Sequence, residues 1–271
     1  MGETSEPLST GVDINVPSVA RMYDYYLGGK DHYAVDREAS EELLKVVPST
    51  RELALNNRRF LARVVRTLAE EHGIRQFLDH GSGLPTQDNV HQVAQRVDPE
   101  ARVVYVDNDP IVLAHGRALL QENENTAVIQ ADMRNTEDIF AHPEVDRLID
   151  FSRPVAALFV SVFHCIPDSS DPAALVRRVK ERLAPGSFFV ICQLVSEDAA
   201  TRDFVTDFMD KSTNGQWGRV RQQKDLEQYF DGLEILEPGL AEVSTWRPDT
   251  KVAPKQLTKE WIEYGGVGRL P

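Results

Sequence analysis

Several carboxylates and a pair of glycines, each closing an apolar run, are the residues of this sequence best arranged for chemistry. "IRQFLDHGSGLPT" places Asp79, Gly81, Ser82 and Gly83 directly after such a run. "RVVYVDN" ends the next run in Asp107 and Asn108, and "AVIQADM" ends another in Ala131, Asp132 and Met133. "PVAALFVSVFH" closes on Ser161 and His164. A glycine-rich turn between a strand and a helix lets a ligand touch the backbone. Asp107 follows Gly83 by 24 positions, the spacing of an acid that accepts both hydroxyl protons of a ribose. Asp132 is then placed to accept from the exocyclic amine of an adenine. The constellation predicts a bound adenosine.

Two common cofactors contain adenosine. A dinucleotide needs G-x-G-x-x-G so that a helix N-terminus can meet the pyrophosphate. Here the run is G-S-G-L-P-T, with Thr86 in place of the third glycine. Asp79, two residues before the first glycine, would oppose a pyrophosphate and attract an ammonium. S-Adenosylmethionine carries an ammonium and a sulfonium and no phosphate, so the charges favour it. A nicotinamide-dependent oxidoreductase stays as the alternative.

The series Asp79-x-Gly81-x-Gly83, Asp107, Asp132 and "LAPGSFFVI" resembles the motifs of class I S-adenosylmethionine-dependent methyltransferases over about Ile74 to Trp246. More narrowly, "PSVARMYDYYLGGKDHYAVDRE", "QFLDHGSGLPT", "SVFHCIPD" and "YGGVGR" resemble an actinobacterial S-adenosyl methyltransferase family that was formerly a domain of unknown function. The resemblance implies a Rossmann-like, mostly parallel sheet of seven strands with the last antiparallel. It implies that Asp79, Gly81 and Gly83, with Ser82 between them, line the methionine part of the cofactor. It likewise puts Asp107 and Asn108 at the ribose, Asp132 and Met133 beside the adenine, and the backbone of Ser161 near the amino group. Pro85 departs from the pattern, since many class I enzymes have a glycine there.

His164 is the candidate general base, with a loop-orienting role as its alternative. "RMYDYYLGGKDHY" reads either as an amphipathic helix on the body or as a lid, in which Tyr23, Tyr26, Lys30 and Asp31 cover the cofactor and shape the acceptor pocket. Arg58 either reaches the cofactor's carboxylate or sits on a solvated face. The histidines show no metal-ligand spacing, and no metal is expected. The acceptor is expected to be a small molecule. A chain that binds the cofactor without turning it over is the remaining reading.

These residues need a scaffold that gathers strand ends. Strands alternating with helices after Gly73 predict an α/β fold, a parallel sheet with helices on both faces. Helices are expected over 87–97, 110–121, 136–149 and 172–183, then near 197–211 and 222–230. "LEIL" and "LAEVSTW", joined by Glu237-Pro238-Gly239, predict a closing hairpin. Ahead of the sheet, residues 1–16 read as a disordered lead-in, 17–48 as a helical lid and 49–271 as the cofactor-binding domain. Ser49 and Glu52 have the pattern of a capping box at the start of a long helix.

The net charge of −13 disfavours nucleic acid, which needs a field of Lys and Arg. Two cysteines make neither a disulfide framework nor a thiolate metal site, and both read as small core residues. No apolar run approaches the ~18 residues of a membrane span, and no signal peptide is legible. A cytoplasmic location with no membrane partner is expected.

Overall fold

Apolar runs too continuous to leave one face in water produce strands buried on both sides. The structure is a computed structural model that describes residues 12–86, 88–119, 123–249 and 260–271. It begins with α1 (Val19–Tyr26), α2 (Ala34–Val46) and α3 (Thr50–Glu70). Strands β1 (Gln76–His80), β2 (Arg102–Asp107), β3 (Thr126–Gln130), β4 (Ala156–Val160) and β5 (Phe188–Val195) follow. Between them run α4 (Val90–Val97), α5 (Pro110–Leu119), α6 (Thr136–Phe140), α7 (Pro143–Leu148) and α8 (Pro172–Arg182). Then come α9 (Ala199–Ser212), α10 (Gln223–Glu227), β6 (Glu234–Ile235), β7 (Ala241–Glu242) and β8 (Ile262–Arg269). None of the described helices is long and apolar enough to cross a membrane.

The sheet has eight strands in the order β3-β2-β1-β4-β5-β8-β6, with β7 also on β8. β1 to β5 are parallel and β8 runs antiparallel to β5, from Phe188↔Arg269 to Val195↔Ile262. Chain order reverses between β1 and β4, which opens a crevice at the carboxyl ends of the strands. Alternation along β1 shows the two cores. Phe77 packs with Phe60, Val64 and Leu68 of α3 and with Val90 and Ala94 of α4. Leu78 faces the other side, with Ile139, Val145, Leu175 and Val179 of α6, α7 and α8.

A third cluster lies at the carboxyl end of β5. Met22 and Tyr26 of α1, Leu43 of α2 and Leu53 of α3 pack there with Leu194, Met209, Trp217 and Trp261. The N-terminal helices therefore roof the strand ends. The turn at 14–16 is folded against this roof, within the expected lead-in, because the buried Arg21 donates to the carbonyls of Asp13 and Val16. Residues 1–11 of that lead-in lie outside the described residues.

Four expectations about elements are corrected. The hairpin of "LEIL" and "LAEVSTW" does not form, since β6 and β7 both pair with β8. They are one interrupted strand: from Ile235 to Ala241 the chain advances six residues, while the facing β8 advances three, from Gly268 to Gly265. Pro238, which has no N–H to give a ladder, sits in the interruption. The single helix over 136–149 is two, because Pro143 occupies the first turn of α7 and cannot continue α6. The helix expected from 87 starts at Val90, where Asn89 and Gln92 form a capping box, residue 87 itself lying outside the described residues. Ser49 does precede α3 but gives it no capping hydrogen bond.

Candidate functional site

The crevice at the strand ends is a cavity of about 580 Å³. β1 delivers Asp79 and the glycine turn. Gly81 has φ +71, and a Cβ there would stand 2.5 Å from Val162 Cγ1 and 2.8 Å from Met133 Cε. No other residue type fits that position without displacing the β4 end. Gly83 also has positive φ, +68, but a Cβ would meet nothing within 4 Å. Its backbone borders open space. The buried Ser82 hydroxyl has no hydrogen-bond partner among the described residues.

β2 delivers Asp107. Its Oδ2 accepts from the Gly83 N–H at 2.9 Å and its Oδ1 from the Asp109 N–H at 2.9 Å. One carboxylate thus sets the shape of the glycine turn and keeps a lone pair on each oxygen. Asp109 caps α5 through the Ile111 N–H at 3.0 Å and accepts from Ser18 Oγ at 2.7 Å, which ties the start of α1 to the rim. Past β3, Asp132 is forked by Arg134, with Nε 2.9 Å from both carboxylate oxygens. Burial raises the Asp132 pKa, but the Arg134 contacts outweigh it and hold the carboxyl below its ordinary value. The other two acids behave oppositely. Burial pushes Asp79 up to about 7, against the opposing charge of Arg58. Burial also pushes Asp107 up to about 6, although it receives backbone N–H groups. A buried carboxylate such as Asp79, facing a cavity beside the partly exposed Asp107, is set to receive a cation.

The far end of the cavity is different. Tyr23, Tyr26, Leu194, Met209, Trp217 and Trp261 line it. Tyr23 donates its hydroxyl to the Ala54 carbonyl at 3.1 Å and accepts from Asn57 Nδ2 at 2.8 Å. Asn57 Oδ1 in turn accepts from Cys192 Sγ at 3.3 Å. Ser161 stands between the two ends. It has φ +60, which non-glycine residues rarely adopt. Its hydroxyl donates to Glu263 Oε1.

Of the residues expected at the site, Asp79, Gly81, Ser82, Gly83, Asp107, Asn108, Asp132, Met133, Ser161, His164, Tyr23, Tyr26 and Arg58 all line this cavity. Lys30 and Asp31 do not. The reason is local. Gly29 packs so tightly against Asp24 that a Cβ would overlap its carboxylate. Asp24 then takes the Asp31 N–H at 2.9 Å and lies 2.9 Å from His32 Nδ1, which turns residues 30–32 away. Asp31 faces His115 instead, at 3.5 Å.

His164 is present but does not suit a general base. Its Nδ1 accepts from the Leu194 N–H at 3.2 Å, so the proton of the neutral ring sits on Nε2 and no lone pair remains. Burial, with the neighbouring Arg221 charge, depresses its pKa to about 3. Arg221 also fixes the turn that carries His164, donating to the carbonyls of Phe163 and Ile166 at 2.7 Å each. His80 stacks on Phe159 at 4.3 Å within the sheet and takes no place in the cavity lining. The described residues hold no His/Cys/Asp/Glu cluster suited to a metal.

Glu263, Asn57, Trp217 and Trp261 are cavity residues that sequence reasoning missed. Glu263 left a signal, a lone acid inside the run "WIEYGGVG". Asn57 left none, being one polar residue among several on a long helix.

The profile of the S-adenosyl methyltransferase family matches residues 5–271. A protein from Thermobifida fusca YX, provisionally assigned as a methyltransferase, is 42% identical. Its crystal structure superposes with a TM-score of 0.90, covering 98% of this chain and 99% of that one. A DUF574 family protein from Streptomyces avermitilis MA-4680 is 37% identical, with a TM-score of 0.86, covering 96% of this chain and all of its own. An O-methyltransferase family protein from Burkholderia thailandensis, 12% identical, covers 82% of this chain and 60% of that one at a TM-score of 0.51, a likeness of fold alone. No curated protein matches the sequence.

Proposed function

The chain belongs to the S-adenosyl methyltransferase family, and from that premise we propose that it methylates a small molecule held at the aromatic end of the cavity, by in-line displacement. S-Adenosylmethionine is its cofactor, and the residues at the strand ends fit that group. The observation that carries the reading is one cavity with two characters: a rim of carboxylates, Asp79 among them buried, around open glycine backbone, continuous with an aromatic pocket.

When bound, the cofactor supplies an electrophilic methyl group on a positively charged sulfur. The chain's residues then divide the work. Asp107 takes the ribose hydroxyls on the lone pairs that the glycine turn leaves free. Asp79 faces the ammonium, with the Gly81–Gly83 turn and Ser82 beside the methionine part. Asn108 lies by the ribose, Asp132 and Met133 by the adenine, and the Ser161 backbone near the amino group. Arg58, next to Asp79, is suited to the cofactor's carboxylate. Tyr23 and Tyr26 keep water out of the pocket where the acceptor is aligned. Residues 17–48 act as the lid in this reading, and 49–271 as the cofactor-binding domain.

Calorimetric titration tests it. S-Adenosylhomocysteine is expected to bind and NADH to leave the protein unchanged. Tight NADH binding with no response to S-adenosylhomocysteine would end the reading. Asp107→Ala is expected to weaken S-adenosylhomocysteine by about 1.5–3 kcal/mol, the scale of lost hydrogen bonds to a charged group. Unchanged affinity would remove Asp107 from the ribose.

A further inference from the structure

Glu263 is a buried carboxylate that the cofactor rim does not use. It sits on β8 opposite Leu194 and is 2% exposed. Its Oε1 accepts from Ser161 Oγ, while its Oε2 has no hydrogen-bond partner among the described residues. Glu263 forms part of the wall of the cavity, two residues from Trp261 and bonded to Ser161 at the border of the two ends. A buried acid held through one oxygen by Ser161, with only the Cys192 thiol, which donates to Asn57, as a further polar neighbour, is costly unless something uses it. The positive φ of Ser161, whose hydroxyl holds the satisfied oxygen, is a second cost at the same spot.

We propose that Glu263 Oε2 takes the acceptor's proton, and that the acceptor is a compact, largely aromatic molecule presenting a hydroxyl or an amine. The inference rests on the methyltransferase reading and deepens it. The acceptor's O–H or N–H proton goes to Oε2, its lone pair bonds the methyl carbon, and the electron pair of the broken C–S bond stays on sulfur. The carboxylate and the sulfonium neutralise together, so the pocket ends with the net charge it began with.

The other titratable groups at this end are unsuited. His164 Nδ1 is engaged and its Nε2 carries the proton. Burial, with Asp107 and Glu263 adding to it, pushes the Cys165 thiol up to about 12. Burial also holds Tyr23 and Tyr26 well above the ordinary phenol value. Glu263 is raised by burial to about 7, against the Ser161 and Cys192 contacts, the range where a base works at neutral pH. Tyr23 of α1, Cys165 after β4 and Cys192 of β5 are the titratable groups whose charges couple to it.

The test has two parts. S-Adenosylhomocysteine is first titrated into the wild type and Glu263→Gln. Both are expected to bind within threefold of each other. A wild type that does not bind refutes the methyltransferase reading, whereas a large loss confined to Glu263→Gln makes Glu263 a cofactor residue and overturns this proposal. The saturated proteins are then titrated with p-cresol, 2-phenylethylamine and ethylbenzene, followed by tryptophan fluorescence, while infrared difference spectra record protonated carboxyl groups against pH. The wild type is expected to bind p-cresol or 2-phenylethylamine at least tenfold more tightly than ethylbenzene. The tighter of the two identifies hydroxyl or amine. Glu263→Gln is expected to lose that preference together with one of the carboxyl bands titrating near neutrality, the Asp79 band remaining. Equal binding of all three probes, or a preference and a full set of carboxyl bands that survive Glu263→Gln, would overturn the proposal.

Discussion

Asp79 and Asp107 are acids that burial has brought close to neutrality, to about 7 and about 6. Below those values each is protonated, so Asp79 attracts the ammonium less and Asp107 accepts the ribose hydroxyls less well. Affinity for S-adenosylhomocysteine, which keeps the ammonium, is therefore expected to fall as pH drops through 7 and again through 6. Calorimetry across that range checks it, and affinity that is flat or rises toward acid would contradict the roles given to both acids. The same shifts act on the ligand-free fold. A carboxyl whose folded pKa is raised favours the fold below its unfolded value and loses that contribution as pH rises through the folded one. The ligand-free protein is expected to lose stability from about pH 4 to about 7 on this account, and bound ligand to offset more of the loss as pH rises. Gly81 is the other residue with a sharp expectation. Gly81→Ala needs both a rare φ and room that Val162 and Met133 occupy, and is expected to lower unfolding stability by about 1–3 kcal/mol in denaturant titration. These residues were legible because each closes an apolar run or fills a glycine turn. For His164 the sequence leaves base and loop-orienting roles open, since nothing in it says that the ring takes the Leu194 N–H.

At the scale of elements, the N-terminal helices are held by one buried ion pair. Arg21 Nε lies 2.8 Å from Asp36 Oδ2, with both side chains all but inaccessible to solvent. Asp36 also accepts from the Ser18 N–H at 2.9 Å and the Tyr33 N–H at 2.8 Å. Asp36→Ala would leave a buried guanidinium without its carboxylate and two backbone donors unmet. The expected loss is about 3–5 kcal/mol in chemical denaturation, and a loss below about 1 kcal/mol would mean that α1 and α2 are not locked by this pair. Here the sequence was half legible. The helical character of 17–48 and the amphipathic pattern of "RMYDYYLGGKDHY" are legible, but the direction of the turn after α1 depends on Asp24 gathering residues 31 and 32, a contact between positions with no pattern of their own. The interrupted β6–β7 strand escaped for the same reason. A short pair of apolar runs around Pro-Gly looks like a hairpin until β8, arriving later in the chain, takes both as partners.

Across the whole molecule, the sheet brings together strand ends that lie far apart in sequence, and a roof of helices closes over them. The strand-end residues that line the cavity could be read because a parallel sheet puts its ligand where strands end, so each residue carries a local mark. The aromatic end could not, since Asn57 comes from α3, Trp217 from a loop, Trp261 from just before the last strand and Glu263 from within it, and they meet only when the chain is folded. A ligand that spans rim and roof binds only the folded protein, so S-adenosylhomocysteine at about 100 times its Kd is expected to add about 2.7 kcal/mol of stability, read as a rise in Tm. The most direct measurement is a crystal structure of the protein grown with S-adenosylhomocysteine. Ribose hydroxyls on Asp107, the ammonium on the side of Asp79 and sulfur turned toward the aromatic pocket are the predicted result. A ligand lodged elsewhere, or carboxylates left without a partner along the β1 and β2 ends, would contradict it.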